Sequence, residues 1–175
     1  MFDPTAFENL KVVAEGAVYD HDLAGEVLVT GRKDLVDLAS MSRTYRIAFQ
    51  LHEQIGTEVT ACLVLQTDVK SWAGEIMEEP FLTPVCLLSL EFSFPIPADW
   101  TGYEEITEIL YKMWGQERMI QQVISYEYKK QAFSSRDTVT VLFPKPLTEE
   151  HAEDLPAVAE HTVQTLHALQ DVLAK

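Results

Sequence analysis

Cysteine, glycine and basic residues are scarce in this 175-residue sequence, and each scarcity narrows its chemistry. The two cysteines, Cys62 and Cys86, fall inside expected strands and lack C-x-x-C or Cys/His spacing. Buried, reduced thiols are expected there, with no disulfide framework and no zinc site. All seven glycines are isolated, which leaves no G-x-G and no G-K-[ST] segment to cradle a phosphate. G-x-S-x-G is also missing, and with it the signature of a nucleophile elbow. No apolar run approaches the ~18 residues of a membrane-spanning helix. Met1 and Phe2 are followed at once by Asp3 and Pro4, with no basic or apolar leader, so a secretory signal is not expected and a cytoplasmic location is.

Basic side chains are outnumbered, 13 Lys and Arg against 28 Asp and Glu, giving a formal net charge of −15. Such a surface repels nucleic-acid phosphates and anionic lipid headgroups, and it suits partners that present basic patches. Apolar residues are plentiful at 47%, and a chain of this length builds one substantial core. No linker divides it, so residues 1–175 are read as a single domain.

The clearest strand is Val85 to Pro97, where Leu88, Leu90, Phe92, Phe94 and Ile96 recur at every second position. Tyr45 to Leu65 reads as a hairpin of two alternating strands around Gln54-Ile55-Gly56-Thr57. A further hairpin runs from Ile120 to Tyr128, through a basic polar loop over Lys129 to Asp137, to Val139 to Phe143. The N-terminus reads as a short helix capped at Asp3, with Pro4 at its first position and a Phe2 to Phe7 staple, ending near Leu10. Lys11 to Asp20 is apolar on both parities and is expected to pair as a strand with Glu26 to Thr30, while Leu35 to Ser42 carries weak helical spacing.

Asp68 caps an expected helix with a Trp72 stripe. Thr101 and Glu104 have capping-box spacing before a helix that ends at Gly115. Leu155 to Leu173 forms a long amphipathic C-terminal helix, with Thr148 to Glu153 as a separate lead-in. The fold class expected is α+β: an antiparallel or mixed sheet of about six to seven strands built from hairpins, with helices packed on one side. The helices flanking Val85 to Pro97 are expected over its Leu88/Phe92 face.

Candidate functional residues are few. His161 and His167 are six residues apart, roughly 240° around a helix, and do not face one metal. Asp20-His21-Asp22 reads as an ordinary hairpin connection, so neither metal nor cofactor is expected. Between Arg118 and Leu147 five basic residues (Arg118, Lys129, Lys130, Arg136, Lys145) face two acids (Glu127, Asp137). Arg32, Lys33, Arg43 and Arg46 form a second concentration. Were the two to meet across the sheet, they would make an anion or acidic-partner site beside Tyr126 or Tyr128. Trp100 is the one tryptophan with no periodic reason for burial, and it is the candidate partner contact.

Two functional classes follow. The first is a non-enzymatic protein-binding or regulatory helper, partner-bound or homodimeric, whose reason for self-association is the C-terminal apolar stripe. The second is a small-molecule binder or enzyme with a site between the sheet and that helix, to which Arg46, His52 or Tyr126 would contribute. In overall plan the chain is similar to bacterial helper classes such as secretion-chaperone-like domains and the immunity or regulatory proteins that bind a basic partner. That resemblance is one of shape and charge.

Overall fold

The alternating stretch forms β4 (Leu87–Ile96), and its even-numbered residues from Leu88 to Ile96 are all buried. In the computed structural model, which describes residues 5–54, 56–78, 83–128 and 133–174, β4 lies inside a six-stranded sheet of order β1-β2-β3-β4-β6-β5. Its neighbours are β3 (Thr60–Thr67) and β6 (Phe133–Leu142), with Phe92 opposite Ala61 on one side and Val139 on the other. The remaining strands are β1 (Val27–Asp37), β2 (Ser42–Leu51) and β5 (Met119–Tyr128), and every pairing is antiparallel. The expected fold class is the observed one.

The N-terminal third departs from expectation. Lys11 to Asp20 is helical, part of α1 (Ala6–Leu23), whose buried residues Phe7, Leu10, Ala14, Ala17 and Val18 follow a helical period. Thr5 caps it, Oγ1 accepting from the Glu8 N–H at 3.3 Å; Phe2, Asp3 and Pro4 lie outside the described residues. Asp20-His21-Asp22 is the last turn of this helix, and Asp22 Oδ2 accepts from the Val29 N–H at 2.9 Å. Leu35 to Asp37 continues β1, and Asp37 Oδ1 accepts from the Ala39 N–H at 2.8 Å to close a β1–β2 turn where a short helix was expected. Gly16 sits exposed in mid-helix, and a Cβ there meets nothing within 4 Å. Gly16→Ala is therefore expected to stabilise the fold by about 0.5–1 kcal/mol, measurable as a higher denaturation midpoint.

Asp68 caps α2 (Val69–Ile76) as expected, its Oδ1 accepting from the Ser71 N–H at 2.8 Å. The Trp72 stripe is only half-buried, and Val69 and Ile76 are exposed. Helix α3 (Tyr103–Trp114) ends at Gly115, whose φ of 89° suits glycine, but its N-cap is Gly102 with no side-chain bond, so the expected Thr101 cap is not made. The last helix, α4 (Leu155–Leu173), follows a 3-10 turn over Glu149–Asp154 that serves as the expected lead-in.

The face of β4 that carries Leu88 and Phe92 belongs to one core with α1, α3 and α4 residues. The helices packed against each other there are α1 with α4 and α4 with α3; of the two helices the sequence places over that face, α3 contributes Ile106 and Leu110 to the core, and α2 contributes no residue to it among the described residues. Leu155, Ala159, Val163, Leu166 and Leu169 are all buried within the molecule. The C-terminal stripe is thus spent on its own chain.

Candidate functional site

The strand parities that point away from the core build a second face. Read across the sheet, one row runs Leu28, Gln50, Thr60, Ser93, Thr138, Val123, and the next runs Gly31, Ala48, Cys62, Glu91, Thr140, Gln121. A third runs Lys33, Arg46, Val64, Ser89, Leu142, Met119. Apart from Arg46 and Glu91 the centre is small, hydroxyl-bearing or apolar, and around it lie exposed Leu28, Leu35, Leu87, Met119 and Val123. A groove of about 330 Å³ crosses this face, lined by strand residues alone, among them Arg46, Cys62, Glu91, Ser93 and Thr138.

Arg46 reaches over β3 and forks onto Glu91, Nη1 to Oε1 at 3.1 Å and Nη2 onto Oε2. Hydrogen bonding to Glu91 holds the guanidinium above its ordinary pKa. Both side chains are about a third exposed or less, which puts the pair in the range of about 1 kcal/mol. Cys62 lies under it, its thiol pushed up to about 11 by burial, and burial pushes Cys86 up to about 12. Neither is a thiolate at neutral pH, so neither is an activated nucleophile. Arg136 Nη1 donates to Ser93 Oγ at 3.2 Å, and Ser93 Oγ is 3.3 Å from Thr138 Oγ1.

The two basic concentrations do not converge among the described residues. Arg43 has the opposite parity to Arg46 and turns towards α1, where Nε and Nη2 donate to Asp34 at 2.9 and 2.7 Å and Nη1 lies 2.9 Å from Glu8. Lys11 joins Asp34 at 3.0 Å, Arg32 pairs with Glu15, and the Tyr45 hydroxyl donates to Glu15 at 2.8 Å. Three cations and three carboxylates thus fasten α1 to β1 and β2. The Arg43 hydrogen bond holds Asp34 below the usual carboxylate range, and burial together with Glu15 raises the Tyr45 phenol. This network is structural and internally neutral.

The other sequence candidates are scattered. His52 is exposed past the end of β2, its backbone N–H donating to Glu26 O at 3.0 Å. Trp100 is half-buried and packs against the core, and a Cβ on Gly102 would lie 2.5 Å from its ring. Tyr126 is 70% exposed on β5, on the parity of the helix-covered face and away from the groove. Lys129 and Lys130 lie outside the described residues. Among the described candidates Arg46 and Arg136 share the open face and each is already bonded, while Arg43 and Tyr126 have the helix-covered parity on β2 and β5, with β3, β4 and β6 between them.

Two further arrangements escaped the sequence. Asp137 is fully buried; its Oδ2 accepts from Gln122 Nε2, while Oδ1 has no partner among the described residues, and burial raises its pKa. Trp114 donates to Thr165 at 3.1 Å and stacks edge-on against His161 and Phe143 at 4.5 and 5.7 Å. His161 Nε2 lies 2.6 Å from Met113 O, which commits that imidazole to the α3–α4 contact. No group of three potential metal ligands occurs among the described residues. Between the sheet and α4, Leu90, Phe92, Leu166 and Leu169 are all without exposure, and the groove across the open face lies on the other side of the sheet.

Neither protein-family patterns, nor curated proteins, nor solved structures match this chain.

Proposed function

We propose that this chain is a non-enzymatic protein-binding module, a cytoplasmic helper or regulator that receives a partner protein on the uncovered face of its sheet. The observation that carries the reading is that face itself, with exposed Leu28, Leu35, Leu87, Met119 and Val123 around a hydroxyl-lined groove. A surface of apolar anchors and small polar groups suits contact with another protein. Exposed acids such as Glu104, Glu108, Glu149, Glu150, Glu160 and Asp171 lie on the helices and the 3-10 turn, on the other side of the sheet, whereas the groove is lined by Lys33 and by the Arg46–Glu91 pair. The partner that fits presents an apolar patch to the sheet, and the net charge of −15 favours the long-range approach of a basic protein.

Leu35 and Leu87 fall in one row of the open face, separated by Thr44 and Gln66. A double Leu35→Glu, Leu87→Glu variant is expected to keep its circular dichroism and lose its partner by at least about tenfold in affinity, since each substitution places an unpaired charge in an apolar contact. Co-purification of parent and variant from the native cell, followed by titration of the recovered protein, measures this. Equal binding by both would remove the open face as the docking surface.

A further inference from the structure

Four of the five arginines are committed within the fold: Arg32, Arg43 and Arg46 meet carboxylates, and Arg136 bonds to Ser93. Arg118 is the exception. Its guanidinium lies 4.4 Å over the Phe143 ring, and its Nε is shut off from solvent with no acceptor among the described residues. A donor that has lost water without gaining an acceptor weakens the fold by itself. No ion pair joins Arg118 or Lys145 to a described carboxylate, although the chain has 28 acids. Both cations line a pocket of about 230 Å³ where the 3-10 turn and the start of α4 meet the end of the sheet. Leu88, Phe143, Leu155 and Val158 make its apolar wall, with Leu88 and Leu155 buried. His151 lines it too; the Thr148 N–H donates to His151 Nδ1 at 3.0 Å, so the neutral ring carries its proton on Nε2 and has a donor to offer. Asp154 is the single acid among the described residues of the lining.

We propose that this pocket binds a small amphiphilic carboxylic acid, its carboxylate held by Arg118 and Lys145 and its hydrocarbon part laid on Leu88, Phe143, Leu155 and Val158. Each half of the pocket selects one half of that ligand. Two cations without counter-ions favour an anion over a neutral hydrocarbon, and Phe143 holds the Arg118 guanidinium in place for it. The apolar wall favours an acid with a carbon body over a bare inorganic ion. Asp154 sets the charge of the head: two cations against one carboxylate match a monoanion, whereas a phosphate monoester would bring a second negative charge against Asp154. The volume lies below the ~300–1,000 Å³ of drug-sized sites, which keeps the acid small. Leu88 has the helix-covered parity of β4, so the pocket and the open-face groove lie on opposite sides of the sheet, and this inference is independent of the open-face reading.

Titration of the full chain with phenylpropionate, followed by nuclear magnetic resonance, tests it, with phenylpropionamide and acetate as controls. Phenylpropionate is expected to saturate with a Kd of about 0.1–1 mM, as suits a ligand of about eleven non-hydrogen atoms, and to shift the resonances of Leu88, Phe143, Leu155 and Val158. The amide has the body without the charge and acetate the charge without the body, and each is expected to bind at least about tenfold more weakly. Arg118→Gln is expected to weaken phenylpropionate by at least about tenfold. Lys145 is exposed, so Lys145→Gln is expected to keep the parent's denaturation midpoint and still lose about threefold or more, while Asp154→Asn, which removes the opposing charge, is expected to bind about threefold more tightly. A parent that does not saturate by about 10 mM, an amide or acetate that binds as well as the acid, shifts that fall away from the pocket, or a Lys145→Gln protein of unchanged affinity would each overturn the proposal. Lys145→Gln is expected to bind its protein partner as the parent does, so failure here and failure of the open-face reading give different results.

Discussion

Phe92→Asp is expected to leave the chain unfolded under conditions in which the parent is folded. Phe92 has no exposure, sits on the central strand and is flanked by Ala61 and Val139 on the two neighbouring strands. Removing the ring forfeits about 3–5 kcal/mol of burial and packing, and the carboxylate that replaces it has no cation in the apolar core to pair with. Together these reach the whole of a typical domain stability of about 5–15 kcal/mol. Loss of near-ultraviolet circular dichroism and of a cooperative denaturation transition is the expected readout. Two controls give the result its meaning. Phe92→Leu should cost no more than about 1–2 kcal/mol and stay folded. Ser93→Asp, one position along on the open face beside Arg136, should fold like the parent. A Phe92→Asp protein that remained folded and lost only partner binding would put this strand on the surface.

That contrast between adjacent residues is also what made β4 readable in advance. Where one face of a strand is buried and the other is not, the period of two is forced on the sequence, and the same holds for Tyr45 to Leu51 in β2 and for the helical stripe of α4. α1 defeated the same approach because alanine and valine fall on both parities of Lys11 to Asp20, while the diagnostic Phe7, Leu10, Ala14, Ala17 and Val18 are mostly small. The sequence shows β6 only from Val139, although the strand spans Phe133–Leu142, for a definite reason: Asp137 occupies a core-facing position, and a carboxylate there reads as loop.

The charged arrangements were illegible for a different reason. Arg43 finds Asp34 across a hairpin, nine positions away, Tyr45 finds Glu15 thirty away, and Arg46 finds Glu91 forty-five away. Clustering along the chain suggested one basic site. Strand parity divides Arg43 from Arg46, and nearby carboxylates neutralise both.

Asp137→Asn is expected to make the protein more stable at neutral pH, by about 1–3 kcal/mol, the difference between burying an under-bonded charge and an under-bonded neutral group. Burial holds the Asp137 carboxyl above its ordinary value of 3.8, so the native state keeps its proton over a range in which the unfolded chain has already released it. A native pKa raised above the unfolded one costs nothing below the ordinary Asp range. The cost grows as pH rises through the window between the two values and is constant above it. Asparagine retains an Oδ1 to accept from Gln122 Nε2 and has nothing to ionise, so it escapes that cost. Denaturation midpoints of both proteins at pH 7 and near pH 4 provide the measurement, with the variant's advantage present at pH 7 and closing on acidification. Glu8 and Asp34, whose pKa values are lowered by their cations, will weaken both proteins in acid, so the quantity to compare is the difference between the two at each pH. An Asp137→Asn protein less stable than the parent at pH 7 would mean that the carboxylate is ionised and paired in the native state. In that case the bond from Gln122 would be one of several holding α3, β5 and β6 together through a charge.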